Sequence, residues 1–515
     1  MTYRQSYPLP TASATRGLGF NLHFDDGGKP GEFQMMKNAG ATWVRTDLLW
    51  NGCETVPGVY NFSKWDKHFA ALKSLKMRSV NILGYNNPLY MTDEQKKLQA
   101  NPWDVSFGLY GEGQIQAYLN YVAATVTKYK GQGHIWEIWN EPNVDHFFRP
   151  KADPVHFMHI VERTVKVIRE IAPEEYIAVD ISSTYGRSGE FGEKMMQLGL
   201  LKLIDVLFIH PYNLTWWENR TLNPESSAAQ YTKIKKMVAK YIEPGKYIRI
   251  FQGECGMTEN SCNYYEPTPV VLPTADTDVI SNNLLGADAI NFKSPNWGGY
   301  WTKPALTTGI KDPLGLYNAV QMAPSDKLTD PGKNCSGLVL YGNQITGSEE
   351  NPEWYVVSYY ARTTKGCLDV IAGISDFGNY YLAQHVIDDV WRRYWVTFKV
   401  TGNLNNRVFE IYEAQPNNVA WQIAYPQVER VVNLEEDTQA RRQRLQADFI
   451  VRQCKTAFQN GIGMFICYNW GDDGPYVDQS WCNFGVVEED RATIKPAYTA
   501  IQKAYQYWKT NGTPK

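Results

Sequence analysis

Short runs of β-branched and aromatic residues alternate along the first half of the chain with stretches whose apolar positions return every three or four residues. The runs read as strands and the periodic stretches as amphipathic helices, so the pattern predicts repeated βα units and a parallel sheet. Strands are predicted at 17–22, 42–46, 78–84, 134–139, 176–181, 204–209 and 246–252, with an eighth much later at 462–468. Helices are predicted at 31–39, 63–76 and 113–130. In the last, Ile115, Tyr118, Leu119, Val122, Val126 and Tyr129 make one apolar stripe. A further helix opens on Asp153 and Pro154, a cap and a first-turn residue, and carries Phe157, Ile160, Val161, Thr164, Ile168 and Ile171 on one side. Eight strand slots with helices between them imply an α/β protein built on a (β/α)8 TIM barrel.

From about 279 to 432 the helical period disappears. Short strand-like runs replace it, among them Trp354–Ala361 (WYVVSYYA), Leu368–Ala372, Tyr394–Val400 and Val408–Tyr412. Strands of that length with polar turns suggest an antiparallel β-sandwich inserted between barrel strands seven and eight. Helical pattern returns at Asp437–Gln459, and a final helix is expected near 495–508. The expected domains are therefore the first part of a catalytic barrel at 1–278, an inserted sandwich at 279–432, and strand eight with the last helices at 433–515. Loops that follow barrel strands already project from one face, which makes insertion there geometrically easy.

Composition narrows the partners. The 51 basic and 54 acidic residues leave a net charge of -3, too little positive field to attract a phosphate backbone, so nucleic acid is not expected. The 17 Trp and 33 Tyr would suit the mixed CH and OH faces of a sugar, although large cores use aromatics as well. Met1 to Gly17 lacks the apolar core of a signal peptide, and no apolar segment has membrane length, so no export signal and no membrane insertion are expected. The eight cysteines show no Cys-x-x-Cys pair; most are expected to be reduced and buried, with Cys255 and Cys262 near enough in sequence to close a small loop.

The candidate chemistry lies in Trp136–Asn143, WEIWNEPN. Strand alternation would point Glu137, Trp139 and Glu141 together, with Glu141 at the C-terminal end of its strand, where barrel active sites form, and Pro142 as the stop. One Glu alone is weak evidence, since most glutamates are solvated. A second acid stands at the matching end of another strand, Glu254 in RIFQGECG at Arg249–Gly256. Two carboxylates flanking a glycosidic bond are what its hydrolysis requires: one protonates the leaving oxygen while the other attacks or activates water.

The run Glu137–Asn143 resembles the acid/base motif of clan A glycoside hydrolases, whose two catalytic glutamates end barrel strands four and seven. Ala41–Tyr90 is similar to family 39 of that clan, as are His210, Pro211 and Tyr212 after strand six and Tyr468–Asp472 (YNWGD) after strand eight. The resemblance implies a retaining hydrolase of a polysaccharide or oligosaccharide, with Glu141 as acid/base, Glu254 as nucleophile and Asn140 on the sugar 2-hydroxyl. Arg45 and Tyr212 match positions beside the nucleophile, where a cation and a phenol would keep Glu254 ionised while Glu141 needs a raised pKa to stay a proton donor. His210 and Trp470 are implied as lining of the cleaved sugar's subsite, Trp470 as its stacking floor. Arg45 could instead form a barrel-interior salt bridge with Glu137, and Trp470 could be a packing residue. Cys255 beside the nucleophile and the large insert depart from the family pattern.

Parts of the insert, Asn283–Trp301, Asp312–Val320 and Ala424–Val431, resemble jelly-roll carbohydrate-binding modules of bacteriophage tail proteins. On that analogy the insert would bind sugar or serve assembly, and the chain would be a homo-oligomer or virion tail component acting on bacterial capsule, O-antigen or exopolysaccharide; a cytoplasmic enzyme would look the same, so the expected location is cytoplasmic or virion-associated. No His-Glu-x-x-His, Cys/His cluster or phosphate-binding Gly-rich loop is present, and His156 and His159 lack a third ligand. Neither a metal nor an organic cofactor is expected. The competing reading is a non-catalytic polysaccharide-binding adhesin; loss of either Glu would have favoured it.

Overall fold

The computed structural model describes residues 2–22, 31–101, 104–182, 186–212, 220–270, 283–299, 304–324, 336–342, 345–376, 379–404, 406–415, 417–474 and 482–513. Eight parallel strands close into a barrel: Leu18–Leu22, Trp43–Leu49, Arg78–Gly84, Ile135–Ile138, Tyr176–Asp180, Val206–Ile209, Arg249–Cys255 and Phe465–Cys467. They follow chain order around the barrel, and the eighth pairs with both the seventh and the first. All eight predicted slots are occupied, with ends displaced by up to three residues.

The barrel interior is a packed core. Trp43, Val80, Ile135, Tyr176, Ala178, Val206, Phe208, Phe251, Met464 and Ile466 fill it, so no pore runs through the sheet. The helices lie where their stripes predict. In Glu112–Tyr129 all six stripe residues are buried. In Pro154–Ile171 the Asp153 carboxylate accepts from the backbone N–H of Val155 and His156, satisfying two free helix donors, and the stripe is buried except for Ile171.

The chain divides into two compact units. One comprises Met1–Tyr212, Ile234–Thr258 and Gln446–Lys515 and contains the barrel; the other comprises Asn213–Lys233 and Glu259–Leu445. The second unit is an antiparallel sandwich. Its five-stranded sheet runs in the order Trp297–Gly299, Gly337–Tyr341, Arg407–Glu413, Cys367–Asp376, Asn379–Asp388. Its six-stranded sheet runs Leu306–Ile310, Ala319–Met322, Trp421–Arg430, Glu353–Thr363, Arg392–Val400, Arg220–Leu222.

This unit is wider than the expected 279–432, whose first boundary lies outside the described residues. The segment after barrel strand six enters it because Thr221 and Leu222 pair with Thr397 and Val396. The segment before 279 belongs to it because Tyr265 exchanges hydrogen bonds with the Thr397 hydroxyl and Thr268 donates to Glu429. A three-residue strand is too short to carry a period, which is why the pattern did not mark it.

Seven cysteines are described and no disulfide joins any two of them, Cys255 and Cys262 included; Cys335 lies outside the described residues. Among the described residues no helix is long and apolar enough to cross a membrane.

Candidate active site

Barrel strand four ends at Ile138, and the backbone then leaves the extended region, with Trp139 at φ 66° and Glu141 at φ 46°. The alternation expected to align Glu137, Trp139 and Glu141 therefore stops after Glu137. Trp139 turns into the core and donates its indole N–H to the Phe147 carbonyl at 2.9 Å. Glu141 instead keeps 16% of its side chain exposed, and Glu254, on strand seven, keeps 12%.

Arg45, on strand two, ties the floor of the site together. Its Nε and Nη2 donate to the two oxygens of Glu137 at 2.8 Å each, a planar fork on a planar carboxylate. Nη1 donates to Glu254 Oε1 at 2.6 Å and Asn21 Oδ1 at 3.0 Å, and Nη2 also donates to Asn140 Oδ1 at 2.7 Å. All five guanidinium N–H groups are used. The two readings of Arg45, salt bridge with Glu137 and neighbour of Glu254, thus describe one network. Since Arg can only donate, it fixes which end of the Asn140 amide faces it and leaves the NH2 as that residue's available donor.

Burial of Arg45 makes the network matter for stability as well. Arg45→Met would leave Glu137, which is 0% exposed, as an uncompensated buried charge. The expected cost is about 3–5 kcal/mol, read as a lower midpoint in urea unfolding. A loss of a few tenths of a kcal/mol would show that water or relaxation replaces the network.

Glu254 also accepts from the Tyr212 hydroxyl at 3.1 Å on Oε2. Burial and then the charge of Glu254 hold that phenol well above its ordinary pKa, so it remains a proton-bearing donor. His210 lies behind the two acids, its Nδ1 2.7 Å from Glu141 Oε1 and 3.8 Å from Glu254 Oε2, its Nε2 3.6 Å from Asp180 Oδ1. Burial alone would push the imidazole down, but Asp180, Glu254 and Glu141 together outweigh it and raise it to about 9.

One oxygen or ring nitrogen from each of Glu141, His210 and Glu254 lies within 4.8 Å of the others. A metal would need the Nδ1 lone pair, at the position of the proton shared with Glu141, so the trio reads as hydrogen-bonded rather than as a ligand set.

Two expected lining residues are placed elsewhere. The His210 side chain is 0% exposed and lies behind Glu141 and Glu254. Trp470 is 0% exposed and packs edge-on against Phe20 and Tyr498, its backbone N–H drawn to the Asn21 carbonyl at 3.0 Å. Two residues earlier, Tyr468 is half-buried beside Tyr212 and Phe484, with ring centroids 6.4 and 5.3 Å away. Within the YNWGD run, then, Tyr468 and not Trp470 is the partly exposed ring. Close packing also explains a glycine of the RIFQGECG run: a Cβ at Gly253 would meet His210 Nε2 at 2.9 Å and the Phe208 ring at 3.0 Å.

Asp180, at the end of strand five, is the residue missed. Its Oδ2 accepts the Glu141 backbone N–H at 3.0 Å. No motif surrounds it; its only sequence signal is a charged residue closing an apolar strand.

A closed (β/α)8 barrel with one glutamate after strand four and another on strand seven, the latter tied by an arginine on strand two to Glu137 and Asn140, has the fold of the clan A glycoside hydrolases. The structure of a family 39 glycoside hydrolase from the gut symbiont Bacteroides cellulosilyticus WH2 is similar over 97% of this chain and 64% of that one, at 14% identity and a TM-score of 0.51. An exo-β-1,4-mannosidase from Opitutaceae bacterium strain TAV5 matches over 100% of this chain and 63% of that one, at 11% identity and a TM-score of 0.46. A family 39 β-xylosidase from Caulobacter crescentus matches over 69% and 84%, at 14% identity and a TM-score of 0.38. The chain thus spans less than two thirds of the first two. No family model and no curated protein matches the sequence.

Proposed function

We propose that the chain is a retaining glycoside hydrolase of an oligosaccharide or polysaccharide, with Glu254 as nucleophile and Glu141 as acid/base. The observation that carries this is the separation of the two carboxylates, an oxygen of one lying within 4.8 Å of an oxygen of the other. Retaining enzymes hold their carboxyl groups about 5–5.5 Å apart, whereas inverting ones leave about 6.5–9.5 Å for a water.

In the first half-reaction Glu254 attacks C1, the glycosidic C–O bond breaks, and Glu141 gives its proton to the departing oxygen. In the second, water attacks C1 and gives its proton to Glu141, and the bond to Glu254 breaks. Arg45 and Tyr212 keep Glu254 anionic and aimed. The Asn140 NH2 is the donor for the sugar 2-hydroxyl, and the half-buried Tyr468 supplies the stacking ring in place of Trp470.

A screen of the purified protein against capsule, O-antigen and exopolysaccharide preparations and aryl glycosides, reading new reducing ends, would supply a substrate. Proton NMR of the first product is then expected to show the anomeric configuration of the starting glycoside. Initial appearance of the opposite anomer would overturn the role of Glu254. Binding without hydrolysis across the screen would favour an adhesin.

A further inference from the structure

Asp180 touches the acid/base residue by two routes. Directly, its Oδ2 accepts the backbone N–H of Glu141 at 3.0 Å, at a residue held in the left-handed region. Indirectly, its Oδ1 lies 3.6 Å from His210 Nε2, and the other nitrogen of that ring lies 2.7 Å from Glu141 Oε1. Asp180 is itself fixed: Oδ1 accepts the Ser182 N–H at 2.6 Å, and Oδ2 lies 3.0 Å from the Ser182 hydroxyl, which also faces Asn143 Oδ1 at 2.8 Å. The Asp180 and His210 side chains are both 0% exposed, so bulk solvent does not screen the line from Asp180 through the imidazole to Glu141.

We propose that Asp180 is a positioning residue for the acid/base: it fixes the Glu141 backbone and, through His210, keeps a cation beside the Glu141 carboxylate as that group gives up its proton. The proposal rests on the hydrolase reading above. When the Glu141 proton passes to the leaving oxygen, the new carboxylate is left in a largely buried place. A charge-assisted hydrogen bond from His210 Nδ1–H stabilises it there. His210 keeps its own proton throughout, and none passes to Asp180. Among the described residues, the charged groups facing His210 are Asp180 from strand five, Glu141 after strand four and Glu254 on strand seven. Burial pushes the Asp180 carboxyl up to about 7; His210 and Arg45 pull it down, while Glu141 and Glu137 push it further up, so the Asp180 charge that holds the imidazolium is present above that pH. The raised pKa of His210 agrees with this arrangement, since an isolated buried imidazole would be shifted down.

The test is Asp180→Asn in the full chain, which keeps the shape and one acceptor but removes the charge. NMR titration of the protein with 15N-labelled histidine rings, assigned with His210→Gln, is expected to give a wild-type His210 midpoint near 9. In the variant the midpoint should fall by roughly 1–3 pH units, the effect of losing an opposite charge at this range. For kcat/KM, glycosides with poor leaving groups should lose roughly tenfold or more. Activated aryl glycosides, which need no proton in the first step, should lose little. A merely structural role would lower both substrate classes together and leave the midpoint in place, and that result would overturn the proposal. If the variant does not fold, the wild-type titration decides: a His210 midpoint at or below about 6.5 would show that no buried anion holds the charge. A wild type without hydrolysis would overturn the hydrolase reading, while the titration would still judge Asp180.

Discussion

Glu254→Gln is expected to lower turnover by roughly 10⁴-fold or more while leaving polysaccharide binding intact, because the amide keeps the volume of the side chain but cannot form the glycosyl-enzyme bond. The surrounding donors make the substitution specific. Arg45 Nη1 and the Tyr212 hydroxyl both donate to Glu254, at 2.6 and 3.1 Å, and the Gln carbonyl oxygen can accept from only one side of that pair. A folded, binding-competent and inactive protein should result. Full activity in this variant would sink the double-displacement mechanism, and loss of binding together with turnover would show that Glu254 also holds the sugar.

Glu141→Ala should behave differently, and the difference assigns the two acids. On substrates with poor leaving groups turnover should fall by about 10²–10⁴-fold, the usual contribution of general acid–base catalysis. An activated aryl glycoside needs no proton in the first step, so the glycosyl-enzyme should still form on Glu254 and then accumulate, since no base activates water. Azide, a nucleophile that needs no base, should release it as a glycosyl azide of retained configuration. Mass spectrometry of the quenched protein and NMR of the product would check both points. Absence of azide product, with no covalent intermediate, would remove Glu141 from the acid/base role.

Elements with a long period were legible from local pattern alone. The stripe of Glu112–Tyr129 and the capped start of Pro154–Ile171 are set by which faces must be buried, and the structure buries those faces. Helix Ser227–Tyr241 went unread although Tyr231, Ile234 and Val238 recur at helical spacing and are buried. Strands such as Ala319–Met322 and Gly337–Tyr341 are too short for a period to rise above the surrounding loops.

By itself, the sequence determined that eight strands alternate with helices, that a β-rich unit interrupts them, and that Glu141 and Glu254 fall at the ends of the fourth and seventh strands. Local periodicity reports burial of a face, and a strand end is a local property, so these conclusions needed no contact between distant residues. Only the tertiary structure decided what each side chain faces. Arg45 and Glu254 are 209 residues apart in sequence, yet barrel closure brings them to 2.6 Å. The same closure places His210 behind Glu141 instead of in the opening, backs it with Asp180, and turns Trp470 inward while Tyr468 stays half-exposed. Strand alternation could not foresee this arrangement, because the backbone leaves the extended region at Trp139 and Glu141, where the site begins.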